Sequence, residues 1–251
     1  MSTWGSEGIV LKRSDFGEAD KLLTIFTKNK GKIRALAKGI RRVSSRRAGN
    51  VELLNHSKLF FSESKNFNIL TEATTISSFQ TLKEDLEKIS YGYKIAEIID
   101  RLFDSEQEAR GSFGLLLEAL ERINSAQDLG QAQLFRSAFE IKILDKAGFR
   151  PQLFVCTKCT RPLQAESQRL SPGMGGLLDK NCSSESLARP VSVEAIKILR
   201  FLLEEDWEQI KKLSIPKLLQ KEIDQHLGFY LEYIVEANLA SEEFIDQVKN
   251  L

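Results

Sequence analysis

The spacing of the apolar residues changes near residue 80, and this change limits the possible folds more than any other feature of the sequence. Before it, short runs rich in β-branched and aromatic residues are separated by turn-forming residues. These runs cover residues 8–14, 21–27, 32–38, 51–61 and 68–73. After it, apolar residues recur at three- and four-residue steps, as in amphipathic helices. The pattern predicts an α+β multidomain chain, with a β-barrel followed by an all-α domain.

The predicted strands favour a small barrel at the N-terminus. A long loop over residues 39–50 follows the third predicted strand. Five strands with a long third connection are typical of the oligonucleotide-binding (OB) fold, whose face and loops bind extended strands. An SH3-like barrel would produce a similar pattern, so the strand count alone does not separate the two.

Two helical blocks flank a segment that contains the cysteines. The first block carries apolar positions at Leu86, Ile89, Tyr93, Ala96 and Phe103, and again at Leu134, Ala138, Ile141 and Leu144. We expect Gly148 to end one helix, Ser192 to cap the next and Pro216 to open the last long one. The expected domains are an OB barrel over 1–80, a helical domain formed by 81–150 and 190–251, and a zinc-finger-like insertion over 151–189.

Positive charge is concentrated between Asp20 and Glu52, where no acidic residue occurs. This segment holds ten cations, whereas the whole chain has 36 basic and 35 acidic residues. Concentrated charge of one sign suits a polyanion, because each neutralised phosphate releases counterions. We predict that DNA is bound by Lys30, Lys32, Arg34, Lys38, Arg41, Arg42, Arg46 and Arg47. Alternation along the third strand places Arg34 and Lys38 on one exposed face; the alternative is a solvated, charged hairpin.

Aromatic residues in the predicted barrel offer a second kind of contact. Phe60, Phe61 and Phe67 could stack on bases. The alternative is that they belong to the barrel core.

The cysteines follow a pattern of metal-binding turns. Cys156 and Cys159 are separated by two residues, and Asp179 and Cys182 repeat this spacing. The arrangement C-x2-C-x19-D-x2-C predicts a structural zinc site, although a carboxylate is a harder ligand than a thiolate. A metal-free loop with three thiols and a redox dithiol at Cys156 and Cys159 are the alternatives.

Several classes of function find no support in the sequence. Only two histidines are present, and no phosphate-binding glycine loop or dinucleotide fingerprint occurs. A metal-dependent nuclease or hydrolase is disfavoured, because four protein ligands would leave no open position for water. Because no catalytic arrangement emerges, we expect a non-enzymatic protein. No apolar run approaches about 18 residues and the N-terminus lacks signal-peptide features, so we expect it to be cytoplasmic.

The motifs described so far resemble bacterial RecO, a family of recombination mediators. The resemblance runs the length of the chain and is most specific in the N-terminal third. It is carried by residues 8–11 (GIVL), 18–24 (EADKLLT), 26–27 (FT), 31–33 (GKI), 38–39 (KG), 41–42 (RR) and 45–46 (SR), the cysteine pairs with Gly175 and Gly176, Leu227 with Gly228, and Ser241.

The resemblance implies an OB barrel, a helical domain and a zinc-binding insertion. It also implies binding to single- and double-stranded DNA, annealing of complementary strands, cooperation with RecR, and help for RecA in replacing single-strand-binding protein. That protein's C-terminal tail is an implied partner, and the nucleoid the implied location. Asp179 stands where the four-cysteine pattern has cysteine. A different hypothesis is an adaptor whose basic barrel binds an acidic protein.

Overall fold

The chain forms two compact units that divide between Ser125 and Ala126. A computed structural model describes residues 2–64, 68–104, 111–166, 168–182 and 187–249. The predicted domain boundaries near residues 80, 150 and 190 stay predictions.

Five strands close into a barrel at the N-terminus. They are β1 (Thr3–Phe16), β2 (Asp20–Thr27), β3 (Gly31–Ala37), β4 (His56–Glu63) and β5 (Asn68–Ser77). The order around the barrel is β1-β2-β3-β5-β4. β3 and β5 are parallel, and β4 pairs with both β5 and β1. This crossing order confirms the OB type of Greek-key barrel rather than the SH3-like alternative.

Alternate side chains of the strands fill the barrel. The interior contains Leu23, Ile25, Ile33, Ala35 and Phe61, each at most 1% exposed. The period-two pattern of the sequence therefore places the core where it was expected. The fourth strand starts later than predicted, at His56, because a 3-10 helix (Ala48–Val51) and the positive φ of Leu54 precede it.

Helices complete the first unit. α1 (Gln80–Glu84), α2 (Leu86–Leu102) and α3 (Ser112–Ser125) follow the barrel. The predicted helical period is confirmed, but the buried face of α2 differs from the predicted stripe. Leu86 is half exposed, whereas Tyr91, Ile95 and Ile99 are fully buried. α2 carries apolar residues on more than one side, so apolar residues recur at three- and four-residue steps along two different faces of the helix.

The second unit is mainly helical. It contains α4 (Leu129–Lys146), α5 (Val193–Glu204), α6 (Trp207–Ile210), α7 (Lys217–Val235) and α8 (Ala240–Lys249). Gly148 ends α4 at a φ of 86°, and the Ser192 hydroxyl accepts the N–H of Ala195 at 3.1 Å. Both predicted caps are therefore confirmed. Pro216 immediately precedes α7, as expected.

A small sheet lies between α4 and α5 in the sequence. It consists of β6 (Gln168–Ser171), β7 (Gly176–Leu178) and β8 (Arg189–Val191), in the order β7-β6-β8. Gly176 allows the backbone of Gln152 to pass alongside, since a Cβ there would lie 2.2 Å from the Gln152 carbonyl oxygen. No helix in the described part of the chain has the length and apolar character needed to span a bilayer.

The neighbouring residues Phe60 and Phe61 provide a test of the barrel core. Phe61 is fully buried with its ring 4.5 Å from that of Trp4, whereas Phe60 is 38% exposed. We expect Phe61→Ala to lower the free energy of unfolding by about 3–5 kcal/mol and Phe60→Ala by about 1 kcal/mol or less. Urea unfolding followed by Trp4 fluorescence in a Trp207→Phe background measures both. Equal losses would contradict the placement of Phe61 in the core.

Candidate nucleic-acid interface and candidate metal centre

The outer face of β1, β2 and β3 carries exposed cations. Strand pairing places Lys12 opposite Thr24, and Thr24 opposite Arg34. Because directly paired residues point to the same side of a sheet, Lys12 and Arg34 share this outer face. Both side chains are exposed. Lys38, also exposed, follows the end of β3.

Two apolar side chains run along the same outer face. Ser14 is opposite Leu22, and Leu22 is opposite Leu36, so the three side chains point outward. At one end of this face, Phe26 is covered by Phe103 and Phe113, whose ring centroids lie 5.4 and 6.5 Å from its own. The helices of the first unit thus close one end of the outer face, and the end with Leu22 and Arg34 remains accessible.

The loop between β3 and β4 is fixed at its base by two of its arginines. The guanidinium of Arg47 donates to the carbonyl oxygens of Leu70 at 2.7 Å, Lys38 at 2.8 Å and Thr71 at 3.2 Å. Arg41 pairs with Asp15 at 3.4 Å. These contacts occupy the charged groups with protein oxygens and hold the loop against the barrel.

The tip of this loop projects into solvent. Arg42 and Arg46 are exposed, and Val43 between them has a relative exposure of 108%. Within the described residues, neither arginine makes a side-chain hydrogen bond or an ion pair. The same holds for Arg34, Lys38 and Lys12. These five cations, which we call the open cations, are available to an external anion at the outer face of β1 and β3 and at the loop that follows β3.

The eight cations predicted from the sequence therefore fall into two sets. Arg34, Lys38, Arg42 and Arg46 are open cations. The other four have partners within the protein. Lys30 pairs with Glu63 at 3.1 Å and lies 4.2 Å from the Trp4 ring, and Lys32, only 14% exposed, pairs with Asp100 at 3.2 Å.

Lys12 was not among the predicted cations. It lies outside the basic segment in the sequence and joins the interface only through the pairing of β1 with β2. A β-bulge between Val10 and Lys12 interrupts the alternation of β1, so the period-two pattern did not indicate that Lys12 points outward.

The structure corrects part of the stacking hypothesis. Phe61 belongs to the core, and Phe67 lies outside the described residues. Phe60 is partly exposed on β4, where its ring lies over Gly5. Phe60 therefore covers the beginning of β1, away in sequence from Lys12 and Ser14 on the same strand.

The three cysteines come together in the second unit. The sulfur atoms of Cys156, Cys159 and Cys182 all lie within 4.8 Å of one another. A tetrahedral ion with bonds of about 2.3 Å to sulfur would hold its ligands about 3.8 Å apart, so the cluster fits a metal ion with a small contraction. Leu163, Leu178 and Ala188 pack around the cysteines.

Asp179 stands outside this cluster. Within the described residues, the group of potential ligands contains the three cysteines alone. One carboxylate oxygen of Asp179 accepts the N–H of Asn181 at 2.8 Å, and its own N–H donates to the Cys156 sulfur at 3.4 Å. The structure therefore brings together three of the four predicted ligands.

Hydrogen bonds to sulfur alter the acidity of the cluster. Burial raises the pKa of Cys156, but the N–H groups of Asp179, Cys159 and Lys158 donate to its sulfur and bring that pKa down to about 7. Burial and the neighbouring thiols raise the pKa of Cys182 to about 11. A cation would favour the thiolate forms of these residues, because a metal ligand must be deprotonated.

Two family models together match most of the chain. A family model described as "Recombination protein O N terminal" matches residues 1–79, and one described as "Recombination protein O C terminal" matches residues 83–243. The chain belongs to the RecO family. The first matched range contains all five barrel strands, and the second starts within α1.

Curated relatives of the RecO family cover nearly the whole chain. The "DNA repair protein RecO" of Roseiflexus sp. is 36% identical over 247 residues, which are 98% of this chain and 86% of the relative. That of Symbiobacterium thermophilum is 30% identical over 253 residues, covering 100% and 99%. That of Heliobacterium modesticaldum is 31% identical over 258 residues, covering 99% and 91%. The sequence-based assignment to RecO, a family of DNA repair proteins, is thereby confirmed.

Two adjacent arginines test the division of the cations. Arg47→Ala removes hydrogen bonds to three carbonyl groups, whereas Arg46 donates to none of the described residues. We expect Arg47→Ala to lower the free energy of unfolding of the first unit by about 1–3 kcal/mol and Arg46→Ala to change it by less than about 0.5 kcal/mol. Urea unfolding in the Trp207→Phe background measures the difference. Identical curves for the two variants would contradict the structural role of Arg47.

Proposed function

We propose that this RecO-family chain is a DNA repair and recombination mediator that binds single- and double-stranded DNA through the outer face of its barrel. The observation that carries the proposal is the grouping of the open cations on β1, β3 and the loop after β3. Cations without protein partners neutralise phosphates without first breaking an ion pair. Since phosphates are the same in every sequence, the binding should depend little on base sequence.

The same surface would support annealing of complementary strands. Two strands repel each other through their phosphates, and a common cationic surface lowers this repulsion. The loop tip with Arg42 and Arg46 projects away from the barrel, so one strand could lie on the outer face while the tip contacts a second. Annealing would then need no catalytic group, in keeping with a non-enzymatic role.

The partners proposed for this mediator rest on its membership in the RecO family. RecR, the C-terminal tail of single-strand-binding protein and, indirectly, RecA are the partners that the RecO resemblance implies. Membership in the RecO family supports these partners. The contacts with them stay a prediction for this chain.

We further propose that Cys156, Cys159 and Cys182 hold a structural zinc ion. Zinc would link the turn of Cys156 to the turn of Cys182 and thereby fix the segment between α4 and α5. The N–H groups that reach the Cys156 sulfur support the thiolate that zinc requires. Asp179, the fourth ligand expected from the sequence, would cap its own turn through Asn181.

Removal of open cations tests DNA binding. A variant with Arg34, Lys38, Arg42 and Arg46 replaced by Ala should bind labelled oligonucleotides more weakly, and to a similar extent for different base sequences. If each side chain contacts one phosphate, the slope of log affinity against log salt should fall by roughly 3 for single strands. Fluorescence anisotropy at several salt concentrations measures both quantities.

A charge-matched variant separates a local site from general attraction. Lys197, Lys211, Lys217 and Lys221 are exposed cations of the second unit, and replacing them by Ala removes the same total charge. This variant should keep most of the affinity and the slope. Unchanged affinity in the first variant, or equal losses in both, would refute the proposed interface. A chain that binds an acidic protein but no oligonucleotide would instead support the adaptor hypothesis.

Metal analysis of the purified protein tests the zinc proposal. We expect about one zinc ion per chain, its loss in Cys156→Ser, and its retention in Asp179→Asn. The side-chain amide of the Asp179→Asn variant would keep an oxygen that accepts the N–H of Asn181 but would lack a carboxylate ligand. Loss of zinc in this variant would instead support the sequence-based prediction that Asp179 is the fourth ligand. Absence of zinc from the unaltered protein, with all three thiols reactive, would refute the site.

A further inference from the structure

Phe16 is an aromatic side chain that lies partly exposed on the surface of the barrel. It is the last residue of β1 and is 44% exposed. Phe26 and Phe61 of the same barrel are fully buried. An exposed aromatic ring is a feature of surfaces that bind single-stranded nucleic acid, because every base presents a face on which it can stack.

Strand pairing places Phe16 on the proposed DNA surface. Phe16 is opposite Asp20, two residues beyond the pair of Ser14 and Leu22. Since side chains two residues apart in a strand point to the same side, Phe16 extends the outward row of Lys12 and Ser14. The ring therefore lies at the accessible end of the outer face, past the apolar pair of Leu22 and Leu36.

Hydrogen bonds join the hairpin that carries Phe16 to the base of the basic loop. The N–H of Gly39 donates to the Asp20 carboxylate at 2.7 Å, and the N–H of Arg41 donates to the Ala19 carbonyl at 2.9 Å. The Arg41 guanidinium also pairs with Asp15. These contacts come from residues on both sides of Phe16, so the hairpin that carries this residue is held next to the segment that presents Lys38 and Arg42.

We propose that Phe16 is a base-stacking residue that makes this surface favour single-stranded over double-stranded DNA. The inference rests on the proposed function and deepens it. Lys12, Arg34 and Lys38 would bind the phosphates of a strand lying across the outer face, and an unpaired base at its end would stack on Phe16. A base within a duplex already has neighbours on both faces, so it gains nothing from the ring.

Phe60 serves as the matched control. It is 38% exposed, close to the value for Phe16, but it lies on β4 over Gly5, with the Lys58 ammonium group 5.6 Å from its ring centroid. Phe60 lies against the first residues of β1, whereas Phe16 is the last residue of that strand and Lys12 lies in its second half. Loss of its ring removes a similar exposed aromatic without altering the proposed DNA surface.

The experiment compares Phe16→Ala, Phe16→Leu, Phe16→Tyr and Phe60→Ala in anisotropy titrations with one single-stranded oligonucleotide and its duplex. For the single strand, Phe16→Ala should bind about 5- to 100-fold more weakly, because stacking on an aromatic side chain has an effect of this size. Phe16→Leu keeps an apolar side chain without an aromatic face and should lose most of the same affinity. Phe16→Tyr and Phe60→Ala should stay within about threefold of the unaltered protein.

Duplex binding and salt dependence complete the test. All four variants should bind the duplex within about twofold of the unaltered protein, and the salt slope should not change, because no phosphate contact is removed. Equal affinity of Phe16→Ala and the unaltered protein for the single strand, or equal losses for single strand and duplex, would overturn the inference. An unaltered protein that binds neither DNA would refute the proposed function itself. Thermal melting checks that the variants remain folded.

Discussion

The parallel pairing of β3 with β5 is the interaction on which the proposed DNA surface depends. Ala35 and Leu36 pair with Asn68 and Ile69, and β4 completes the barrel between β5 and β1. Antiparallel neighbours can be joined by a two-residue turn, whereas this order requires the chain to leave β3 and reach β4 on the far side. Residues 38–55 make this connection. The basic loop is therefore a consequence of barrel closure, placed beside the outer face of β3.

The long connection between β3 and β4 must be held against the barrel, and two of the predicted DNA-binding arginines contribute to this. The carbonyl groups at the base of the loop need donors, and Arg47 supplies them for Lys38, Leu70 and Thr71. Arg41 joins the loop to the hairpin between β1 and β2. Charge near a surface thus has two uses, support of the loop and attraction of an anion. Only the second use adds to the affinity for DNA, so the number of cations overstates the number of contacts.

Much of the fold could be predicted because it follows local patterns. The alternation of Ile33, Ala35 and Ala37 fixes the inward face of β3, and Gly148 and Ser192 act through neighbours within a few residues. The partners of charged side chains could not be predicted in this way. Lys32 meets Asp100, which lies 68 residues further along the chain. Lys12 reaches the outer face only through the register of the strands. The sequence of α2 has apolar residues on two faces, and contacts with the rest of the first unit determine which face is buried.

The cysteine cluster shows why the spacing of Asp179 and Cys182 could not indicate whether Asp179 is a metal ligand or a residue that only closes a turn. In the first turn, the N–H of Lys158 donates to the Cys156 sulfur, and the N–H of Thr160 donates to the Cys156 carbonyl at 2.8 Å. In the second turn, the N–H of Asn181 donates to the Asp179 carboxylate, also from two residues ahead.

A carboxylate oxygen thus takes over the hydrogen bond that a cysteine sulfur accepts in the first turn. Cys182 still reaches the cluster, because its N–H donates to the Asp179 carbonyl at 2.8 Å and closes the second turn. Aspartate at position 179 can therefore preserve the shape of a metal-binding turn without binding the metal. Because the hydrogen bond and metal coordination both favour the same two-residue spacing, the sequence pattern alone does not distinguish them.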